Sequence, residues 1–457
     1  TQKSGNCITF GKVVYKIRFP FPLMKNKTTY VLAMLLLFVA TAHAQQYDTL
    51  RLMHYNLTYY NINTSTCTAT NNNATTKDGL LKTITKHVMP DVFTVNEMGA
   101  NAITAQRIIA NVLNTDGVNY YQQATFTNGT QANSNNSNIV NMLFFNTNKL
   151  ALKKQSVIQT SVRVTDVYQL YHKNSVNSDT VFFNVVVTHL KAGQTTADAS
   201  DRAAQTQTIM NWLNTNITEG KQNIILAGDL NVYTSNEQAY QNLITHPNTK
   251  IRFRDPINKA GNWNGNSSFA LYHTQSTRTT SNGCLSGGGM DDRFDQVLAN
   301  QTVMNDSAFV QILPSTYKAL GQDGLRFNQS INNPTNNSVP TAIANALFNM
   351  SDHLPVVVDF KFTLNVPNSL AQKQYAPTFD MHFTNPVQND IQGYYNSEKN
   401  SPLDVAIFDI SGRTVHTTQL KQSGSFEIAL PHLAKGMYIM RVNDGLKYSQ
   451  TYKIVKN

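Results

Sequence analysis

The sequence contains only three cysteines, and none of them stands in a CxxC or mixed Cys/His cluster. A structural zinc site needs such a cluster, so the sequence gives no reason to expect one. Cys7 precedes the predicted export signal described below, which leaves Cys67 and Cys284. In a secreted protein these two could form a disulfide, and two unpaired thiols are equally compatible with the sequence.

The chain also has little net charge once its first residues are set aside. The formal net charge is +10, but six basic residues and no acid lie within residues 1–45, which leaves +4 for the remainder. A charge this small is no electrostatic argument for a nucleic-acid partner. The partner must therefore be inferred from the chemistry of a site.

Long hydrophobic runs are missing, apart from one near the start of the sequence. Met24 precedes two lysines and an apolar stretch over residues 30–40. This stretch is too short to span a bilayer comfortably and ends in small residues, which predicts a signal peptide over 24–44 with cleavage after Ala44. Residues 1–23 are then expected to be an upstream mis-start. An uncleaved anchor is the alternative, whereas no stable membrane span is expected after cleavage.

Apolar runs bounded by polar turns predict an α/β body over residues 47–362. β-Branched and aromatic runs predict strands, and apolar residues at helical spacing predict helices. The predicted strands are 51–58, 91–95, 139–145, 181–188, 223–227 and 356–362, and the predicted helices are 80–88, 103–113 and 202–213. Strands that alternate with helices, together with hairpin-like pairs, favour an α/β sandwich over a doubly wound sheet.

The pattern changes around Pro367, where a linker is predicted over 363–379. Beyond it, short strands separated by turns predict a small all-β sandwich domain over 380–457. Ser411-Gly412 and Asp444-Gly445 are hairpin signals within it.

Six polar motifs stand near the ends of predicted strands, where loops can bring side chains to one rim. They are His54-Tyr55-Asn56, Asn96-Glu97, Thr188-His189-Leu190, Gly228-Asp229-Leu230-Asn231, Arg293-Phe294-Asp295 and Ser351-Asp352-His353-Leu354-Pro355. Each motif alone is a weak signal, because Asp-x-Asn is common in turns and a lone histidine is more often structural than catalytic. Their order and spacing together carry the information.

The oxygen donors in these motifs predict a hard-cation site. Glu97, Asp229 and Asp352 offer carboxylates, and Asn56 and Asn231 add amide oxygens. Such an inventory suits Mg²⁺ or Mn²⁺, with Ca²⁺ as a further candidate, better than zinc.

The two histidines add proton chemistry to the predicted cation. His189 and His353 can transfer a proton or donate a hydrogen bond to a phosphate. An acid beside an imidazole fixes its tautomer and stabilises its charged form, and Asp295 is the candidate for that role. A metal, an activated water and charge stabilisation at phosphorus are what phosphate-ester hydrolysis requires.

The order of the six motifs resembles the endonuclease/exonuclease/phosphatase superfamily. Its members include deoxyribonuclease I-like enzymes, exonuclease III-like enzymes, sphingomyelinases and inositol polyphosphate 5-phosphatases. The resemblance covers roughly residues 48–362, and Gly228-Asp229-Leu230-Asn231 and Ser351-Asp352-His353-Leu354-Pro355 are its most specific parts. It implies a four-layer α/β/β/α sandwich with the site at one end of the paired sheets.

The resemblance also implies a role for each of the oxygen donors. It places Asn56, Glu97 and Asp352 on the metal side. It assigns Asp229 and Asn231 to the nucleophilic water and the phosphate.

For the remaining motifs, the resemblance implies that Asp295 orients His353, the essential histidine. His189 matches the deoxyribonuclease- and sphingomyelinase-like branches, whereas exonuclease III-like enzymes have tyrosine in that region, which weakens a DNA-repair interpretation. An unusual Asn/Gly-rich insertion precedes Asp295 and includes Cys284. It is expected to be a surface loop, with a substrate-facing arm as the alternative.

The C-terminal residues resemble the sorting domain of the type IX secretion system. The matching residues are Asn385-Pro386, Asp409-Ile-Ser-Gly-Arg413, Gly436-Met-Tyr438 and Lys453-Ile-Val-Lys456. The resemblance implies export through the periplasm to the medium or the cell surface, with the type IX machinery as a partner. A generic carbohydrate-binding or adhesion sandwich is the alternative.

These expectations combine into a monomeric, secreted, divalent-metal-dependent phosphodiester hydrolase, first of all an extracellular nuclease. A phospholipid (sphingomyelinase-like) or sugar-phosphate esterase is one alternative, and a non-catalytic binding or adhesion protein is another. Arg252, Arg254 and Arg278 could meet phosphates, but a solvated face is equally compatible with their positions.

Overall fold

The computed structural model describes residues 47–127, 138–173, 180–217, 222–364, 379–397, 402–444 and 449–457. The predicted mis-start and signal peptide lie outside the described residues, as does most of the predicted linker. None of the described helices is long and apolar enough to cross a membrane.

The described part of residues 47–364 forms an α/β body. Its strands are β1 (Tyr47–Tyr60), β2 (Val92–Gly99), β3 (Tyr121–Gln123), β4 (Ile139–Asn146), β5 (Leu150–Ile158), β6 (Thr165–His172), β7 (Phe182–His189), β8 (Asn223–Asp229), β9 (Phe253–Arg254), β10 (Asp295–Asn300), β11 (Val310–Ala319) and β12 (Val356–Thr363). Its α-helices are α1 (Ala74–Val88), α2 (Ala102–Ile108), α3 (Thr196–Asn216), α4 (Gln238–Ile244), α5 (Gln301–Met304) and α6 (Thr341–Met350). A π-helical turn (Ile109–Leu113) extends α2, and a 3₁₀ helix spans Ser267–Tyr272.

The strands form two six-stranded sheets. The first has the order β11-β12-β1-β2-β4-β3, and the second has the order β5-β6-β7-β8-β10-β9. The pairs β1–β2 and β7–β8 are parallel, and each lies at the centre of its sheet. Parallel neighbours place their carboxyl ends at the same edge.

Side-chain alternation along the strands explains how the layers stack. Val185 and Val187 of β7 face the first sheet and join a core that includes β1, β2 and α1. Val186, between them, faces the other way and packs with Ile209 of α3 and Leu243 of α4. Successive strand residues point to opposite faces, so both faces of this sheet are covered. The predicted four-layer α/β/β/α sandwich is confirmed.

Several elements extend or add to the predicted ones. Strand β2 continues past the predicted end at residue 95 to Gly99 and so contains Glu97 itself. Helix α3 begins earlier than predicted, because Thr195 and Asp198 form a capping box. Strands β5, β6, β10 and β11 and helix α6 were not predicted, although the apolar residues of α6 recur at helical spacing.

The described C-terminal residues are all-β, as predicted. The strands are β13 (Phe379–Phe383), β14 (Asp390–Ser397), β15 (Leu403–Phe408), β16 (Thr414–Leu420), β17 (Gly424–Ala429), β18 (Gly436–Asn443) and β19 (Ser449–Lys456). They form a three-stranded sheet, β13-β14-β17, and a four-stranded sheet, β16-β15-β18-β19. Tyr438, Met440 and Val442 of β18 are buried in one shared core, whereas the residues between them are exposed.

Candidate active site

Strand register brings the predicted site residues to one edge of the two sheets. Asn56 of β1 lies opposite Asn96 of β2, the residue before Glu97. In the other sheet, Asp229 at the end of β8 lies opposite both His189 of β7 and Asp295 of β10. The motifs are far apart in sequence but end at the same level of their sheets.

The backbone leaves regular strand geometry at this edge. The β1–β2 pairing shifts after Asn56, and the β2–β4 pairing shifts between Val95 and Met98. Thr58 has φ 41° and Glu97 has φ 55°, in the left-handed region that non-glycine residues seldom adopt. Bulges and strained residues of this kind redirect side chains and cluster at functional sites.

Asn56 joins the carboxylates of the two sheets. Its Nδ2 donates to Glu97 Oε1 at 3.2 Å and to Asp229 Oδ2 at 2.9 Å. Its Oδ1 accepts from the backbone N–H of Thr58 at 3.0 Å, which fixes the orientation of the amide. His189 completes the group, with Nε2 3.7 Å from Glu97 Oε1 and 3.4 Å from Asp229 Oδ2.

Asn231 sits directly behind Asp229 in a tight turn. Its backbone N–H donates to Asp229 Oδ1 at 3.0 Å, and its Nδ2 donates to the Leu190 carbonyl at 3.2 Å. The Asp229 backbone N–H donates to Asn96 Oδ1 at 2.9 Å and so ties this turn to the first sheet.

His353 and Asp295 form a buried pair. His353 Nδ1 lies 2.6 Å from Asp295 Oδ2, and its Nε2 faces Asp229 Oδ2 at 3.9 Å. The side chain of Asp295 is completely buried. Its other oxygen, Oδ1, lies 3.9 Å from Nε2 of the equally buried His54.

Asp352 is held by hydrogen bonds to both of its carboxylate oxygens. Thr58 Oγ1 donates to Oδ1. Oδ2 accepts from the Ser286 backbone N–H at 3.0 Å and from Gln275 Nε2 at 3.3 Å. Gln275 Nε2 also lies 2.8 Å from His353 Nε2, so this one side chain contacts both Asp352 and His353.

The Glu97 and Asp229 carboxylates have raised pKa values. Burial raises the pKa of Glu97 above its usual range, and the nearby charge of Asp352 adds to the effect. Burial likewise raises the pKa of Asp229 to about 7; the His353 charge opposes this, while Asp295 and Glu97 reinforce it. Like charges held out of water disfavour ionisation, and a bound cation would relieve that cost.

The pKa values of the two histidines are shifted in opposite directions. Burial by itself would lower the pKa of His353, but the negative charges of Asp295 and Asp229 outweigh it and hold that pKa well above its usual range. Burial lowers the pKa of His189 well below its usual range, and the positive charge of Arg163 adds to this. Pairs of groups whose pKa values are pushed apart indicate an acid and a base.

Two groups of side chains bring potential metal-binding atoms together. One oxygen of Glu97, one of Asp229 and one ring nitrogen of His189 lie within 4.8 Å of one another, and so do donor atoms of Asp229, Asp295 and His353. Either group could hold a metal ion. The roles of Asn56 and Asp352 as ligands stay predictions, since both side chains are hydrogen-bonded to protein groups here.

Sequence reasoning missed several residues at this edge. Arg163, on the loop between β5 and β6, acts electrostatically on Glu97 and Asp229, and its Nη1 donates to the Leu190 carbonyl at 2.8 Å. No sequence motif contains Arg163, and an isolated arginine in a short loop is typical of an ordinary surface residue. Thr58 and Gln275 were also missed, although Thr58 lies only two residues beyond Asn56.

The three arginines considered as phosphate contacts have other partners. Arg252 Nε donates to the His246 carbonyl at 2.5 Å, and Arg254 Nε donates to Gln301 Oε1 at 3.2 Å. Arg278 is buried, and its guanidinium lies 4.3 Å from the Phe348 ring. Arg278 therefore does not lie on a solvent-exposed surface.

Cys67 and Cys284 form a disulfide, which answers a question that the sequence left open. The bond joins the segment before α1 to the insertion that precedes Asp295 and so closes a 217-residue separation.

Several solved structures are similar to this chain. The catalytic domain of human Nocturnin with bound sulfate is 16% identical, with 70% of this chain and 98% of that chain covered and a TM-score of 0.43. An endonuclease/exonuclease/phosphatase family protein from Bacteroides thetaiotaomicron is 13% identical, with coverages of 70% and 97% and a TM-score of 0.43. D. rerio TDP2 complexed with a single-stranded DNA product is 13% identical, with coverages of 68% and 99% and a TM-score of 0.43.

At these identities and TM-scores the likeness carries no conclusion about this chain, and the chemistry must be argued from the site residues. No curated protein sequence matches this chain.

A family model, described as the secretion system C-terminal sorting domain, matches residues 382–457. The match agrees with the predicted sorting domain and places the protein at the cell surface or in the extracellular space. The chain thus carries a domain of the secretion system C-terminal sorting family, behind a body with the layered α/β architecture expected of the endonuclease/exonuclease/phosphatase superfamily.

Proposed function

We propose that this protein is a secreted, divalent-metal-dependent phosphodiester hydrolase, with nucleic acid as its first substrate class. One observation carries the proposal. The buried Asp295–His353 pair and the group of Glu97, His189 and Asp229 meet at Asp229. Phosphoryl chemistry needs an anion-stabilising donor, a water-activating group and a cation site within reach of one another.

Glu97 and Asp229 are the residues that would hold the cation. Their oxygens are hard donors, and burial leaves both carboxylates with raised pKa values that a cation would lower again. When bound, such an ion polarises the phosphate ester.

The protein groups divide the proton transfers between them. Asp229, at the edge of the cation site, is suited to orient the attacking water and accept its proton, and the Asn231 backbone N–H fixes the carboxylate by donating to its Oδ1. His353 stays protonated because Asp295 and Asp229 face it, so it can donate to the oxygen that accumulates negative charge. Neutral His189 offers a second hydrogen bond to the phosphate.

Two neighbouring side chains support a nucleotide over a simple ester. Arg163 supplies a guanidinium near Glu97 and Asp229, and such a fork suits phosphate oxygens. Tyr59, whose backbone N–H donates to Glu97 Oε2 at 3.2 Å, is half-buried and offers an aromatic ring beside the carboxylates. Aromatic stacking next to phosphate contacts is typical of single-stranded nucleic-acid sites.

A substrate panel tests this function. The purified secreted protein is assayed on double-stranded DNA, single-stranded DNA, RNA, sphingomyelin and inositol phosphates, with Mg²⁺ or Mn²⁺ and with EDTA. Cleavage of nucleic acid that EDTA abolishes is expected, and His353→Ala should abolish it as well. His87→Ala, at an exposed position of α1, is the matched control and should retain full activity.

The panel also separates the alternatives. Preferred turnover of sphingomyelin or of sugar phosphates would support the hydrolase assignment but with a different substrate class. Turnover that persists in EDTA, or full activity of the His353 variant, would refute the proposed mechanism. If nothing is cleaved and the protein shows no metal response, a non-catalytic binding protein is the better description.

A further inference from the structure

Two loops that are distant in sequence donate hydrogen bonds to the same carboxylate, that of Asp352. The exit loop, residues 58–73, begins in the irregular last residues of β1, beyond the register shift, and includes Thr58, whose hydroxyl donates to Asp352 Oδ1. The insertion loop, residues 274–292, precedes β10 and supplies the Ser286 N–H and the Gln275 amide to Asp352 Oδ2. Asp352 is therefore held by hydrogen bonds from both the exit loop and the insertion loop.

The insertion loop contains neither a helix nor a strand; its Leu285 and Met290 side chains are buried, and its remaining contacts are mainly polar. Asn282 Oδ1 accepts from the backbone N–H groups of Cys284 and Leu285, at 3.0 and 2.7 Å. Ser276 Oγ donates to the Ser286 carbonyl. The loop's tip is exposed around residues 279–283. Segments with few buried apolar contacts open locally at low free-energy cost, so this exposed stretch of the loop needs an anchor.

The Cys67–Cys284 disulfide supplies that anchor by joining these two loops. Cys284 lies two residues before Ser286, and Cys67 lies in the exit loop. Asn71 Nδ2 donates to the Asn282 carbonyl at 3.1 Å, so a hydrogen bond between the loops runs beside the covalent link. A cross-link between residues so far apart in sequence greatly restricts the arrangements available to both loops.

We propose that the Cys67–Cys284 disulfide is a redox-controlled clamp that positions Asp352 and, through Gln275, His353. The inference rests on the proposed hydrolase function. With the bond closed, the exit loop and the insertion loop keep their donors on the two Asp352 oxygens. With the bond open, the Ser286 and Gln275 contacts loosen, and the protein has low activity.

The opening reaction is ordinary thiol–disulfide exchange. A dithiol reductant attacks the accessible sulfur of Cys284, which is partly exposed whereas Cys67 is buried. The first thiol forms a mixed disulfide and Cys67 leaves as a thiol. The second thiol of the reductant then displaces Cys284, so two electrons and two protons pass to the cysteines and the reductant becomes a cyclic disulfide.

The test compares oxidised protein, protein treated with dithiothreitol, and the double variant Cys67→Ser/Cys284→Ser. Each is assayed for Mg²⁺-dependent cleavage of bis(p-nitrophenyl) phosphate, below the unfolding temperature of the least stable form. Reduction should lower kcat by about tenfold or more, as when groups that orient a ligand are removed, while KM changes little. Reoxidation should restore kcat. The double variant should be slow from the start and indifferent to dithiothreitol.

Hydrogen exchange of the Ser286 amide gives a readout that does not depend on activity. Exchange at Ser286 should accelerate on reduction and in the double variant, while the β7 and β8 amides stay protected. Unchanged kcat together with unchanged exchange at Ser286 would overturn the clamp. If the oxidised protein cleaves no phosphodiester at all, the proposed function fails, and the exchange at Ser286 alone decides whether the clamp exists.

Discussion

His353 Nδ1 lies 2.6 Å from Asp295 Oδ2, inside a pocket where the side chain of Asp295 is completely buried. His353 follows α6 and Asp295 opens β10, so the pair joins the two sheets at the site edge. A carboxylate in this position fixes the imidazole tautomer and stabilises its protonated form. The pair is the part of the site whose removal has the clearest consequences.

Asp295→Asn should lower kcat by about a hundredfold or more, because the amide cannot stabilise the imidazolium. The negative charges of Asp295 and Asp229 hold the pKa of His353 well above its usual range, so removing one of them must lower that pKa. The alkaline limb of the pH–kcat profile should therefore move to lower pH, where the protonated form is lost earlier.

Asp380→Asn is the matched control for this change. Asp380 Oδ2 contacts His382 Nε2 at 2.9 Å, but both side chains are exposed in the C-terminal region. This variant should leave the pH profile unchanged. A profile that is equally unmoved in Asp295→Asn would contradict the assigned role of the buried pair.

Glu97→Gln should separate metal binding from folding. Burial raises the pKa of Glu97, so its ionised form costs stability that a neutral glutamine does not. We expect the metal-free variant to melt at or above the temperature of the metal-free wild type, and the stabilisation by Mg²⁺ or Mn²⁺ to shrink. Differential scanning calorimetry with and without metal measures both effects.

Glu427→Gln, at an exposed position of β17, controls for the loss of one carboxylate. It should respond to metal like the wild type. An undiminished metal shift in Glu97→Gln would remove Glu97 from the predicted ligands.

Gly228→Ala should damage the site edge through its backbone. A Cβ at Gly228 would lie 2.1 Å from the Thr188 carbonyl oxygen, so β7 and β8 would have to separate where His189 faces Asp229. We expect a loss of about 1–3 kcal/mol in the free energy of unfolding together with a fall in kcat. Urea denaturation and steady-state kinetics check the two effects.

Gly79→Ala is the matched substitution at a permissive position. Gly79 is exposed in α1, and nothing lies within 4 Å of an added Cβ. Alanine there should stabilise the protein by about 0.5–1 kcal/mol, since glycine is a poor helix former. If Gly228→Ala proved as benign as Gly79→Ala, the close approach of β7 and β8 would not constrain the site.

Asp166→Asn tests the pH dependence of stability outside the site. Asp166 is buried and accepts from Thr127 Oγ1 at 2.7 Å, and burial raises its pKa to about 6. In the unfolded chain the Asp166 carboxyl ionises near 3.8. The free energy of unfolding should therefore fall from pH 4 to pH 6 and stay constant above that. The full penalty is about 3 kcal/mol.

The stability of Asp166→Asn relative to wild type should therefore improve by up to that amount between pH 4 and pH 7. Chemical denaturation at several pH values measures the difference. A difference that does not change with pH would show that the Asp166 carboxyl is not destabilised by burial.

Local sequence determined much of the site and of its frame. Asp229, Asn231, Asp352 and His353 lie in short motifs beside apolar runs, and hydrophobic alternation placed those runs in strands. The sorting domain was recognisable for the same reason, since its strands and turns follow one another closely along the chain. Structural features that arise from residues adjacent in sequence can be predicted from short stretches of sequence.

Tertiary structure alone decided how these residues meet. Asn56 donates to Asp229, 173 positions away, because the two sheets pack face to face with β1 over β8. Arg163 and Gln275 enter the site from loops without a local signature, and the Cys67–Cys284 bond depends on the path of two such loops. Sheet register, bulges and loop packing set these contacts, and all three arise from long-range interactions that no short stretch of sequence encodes.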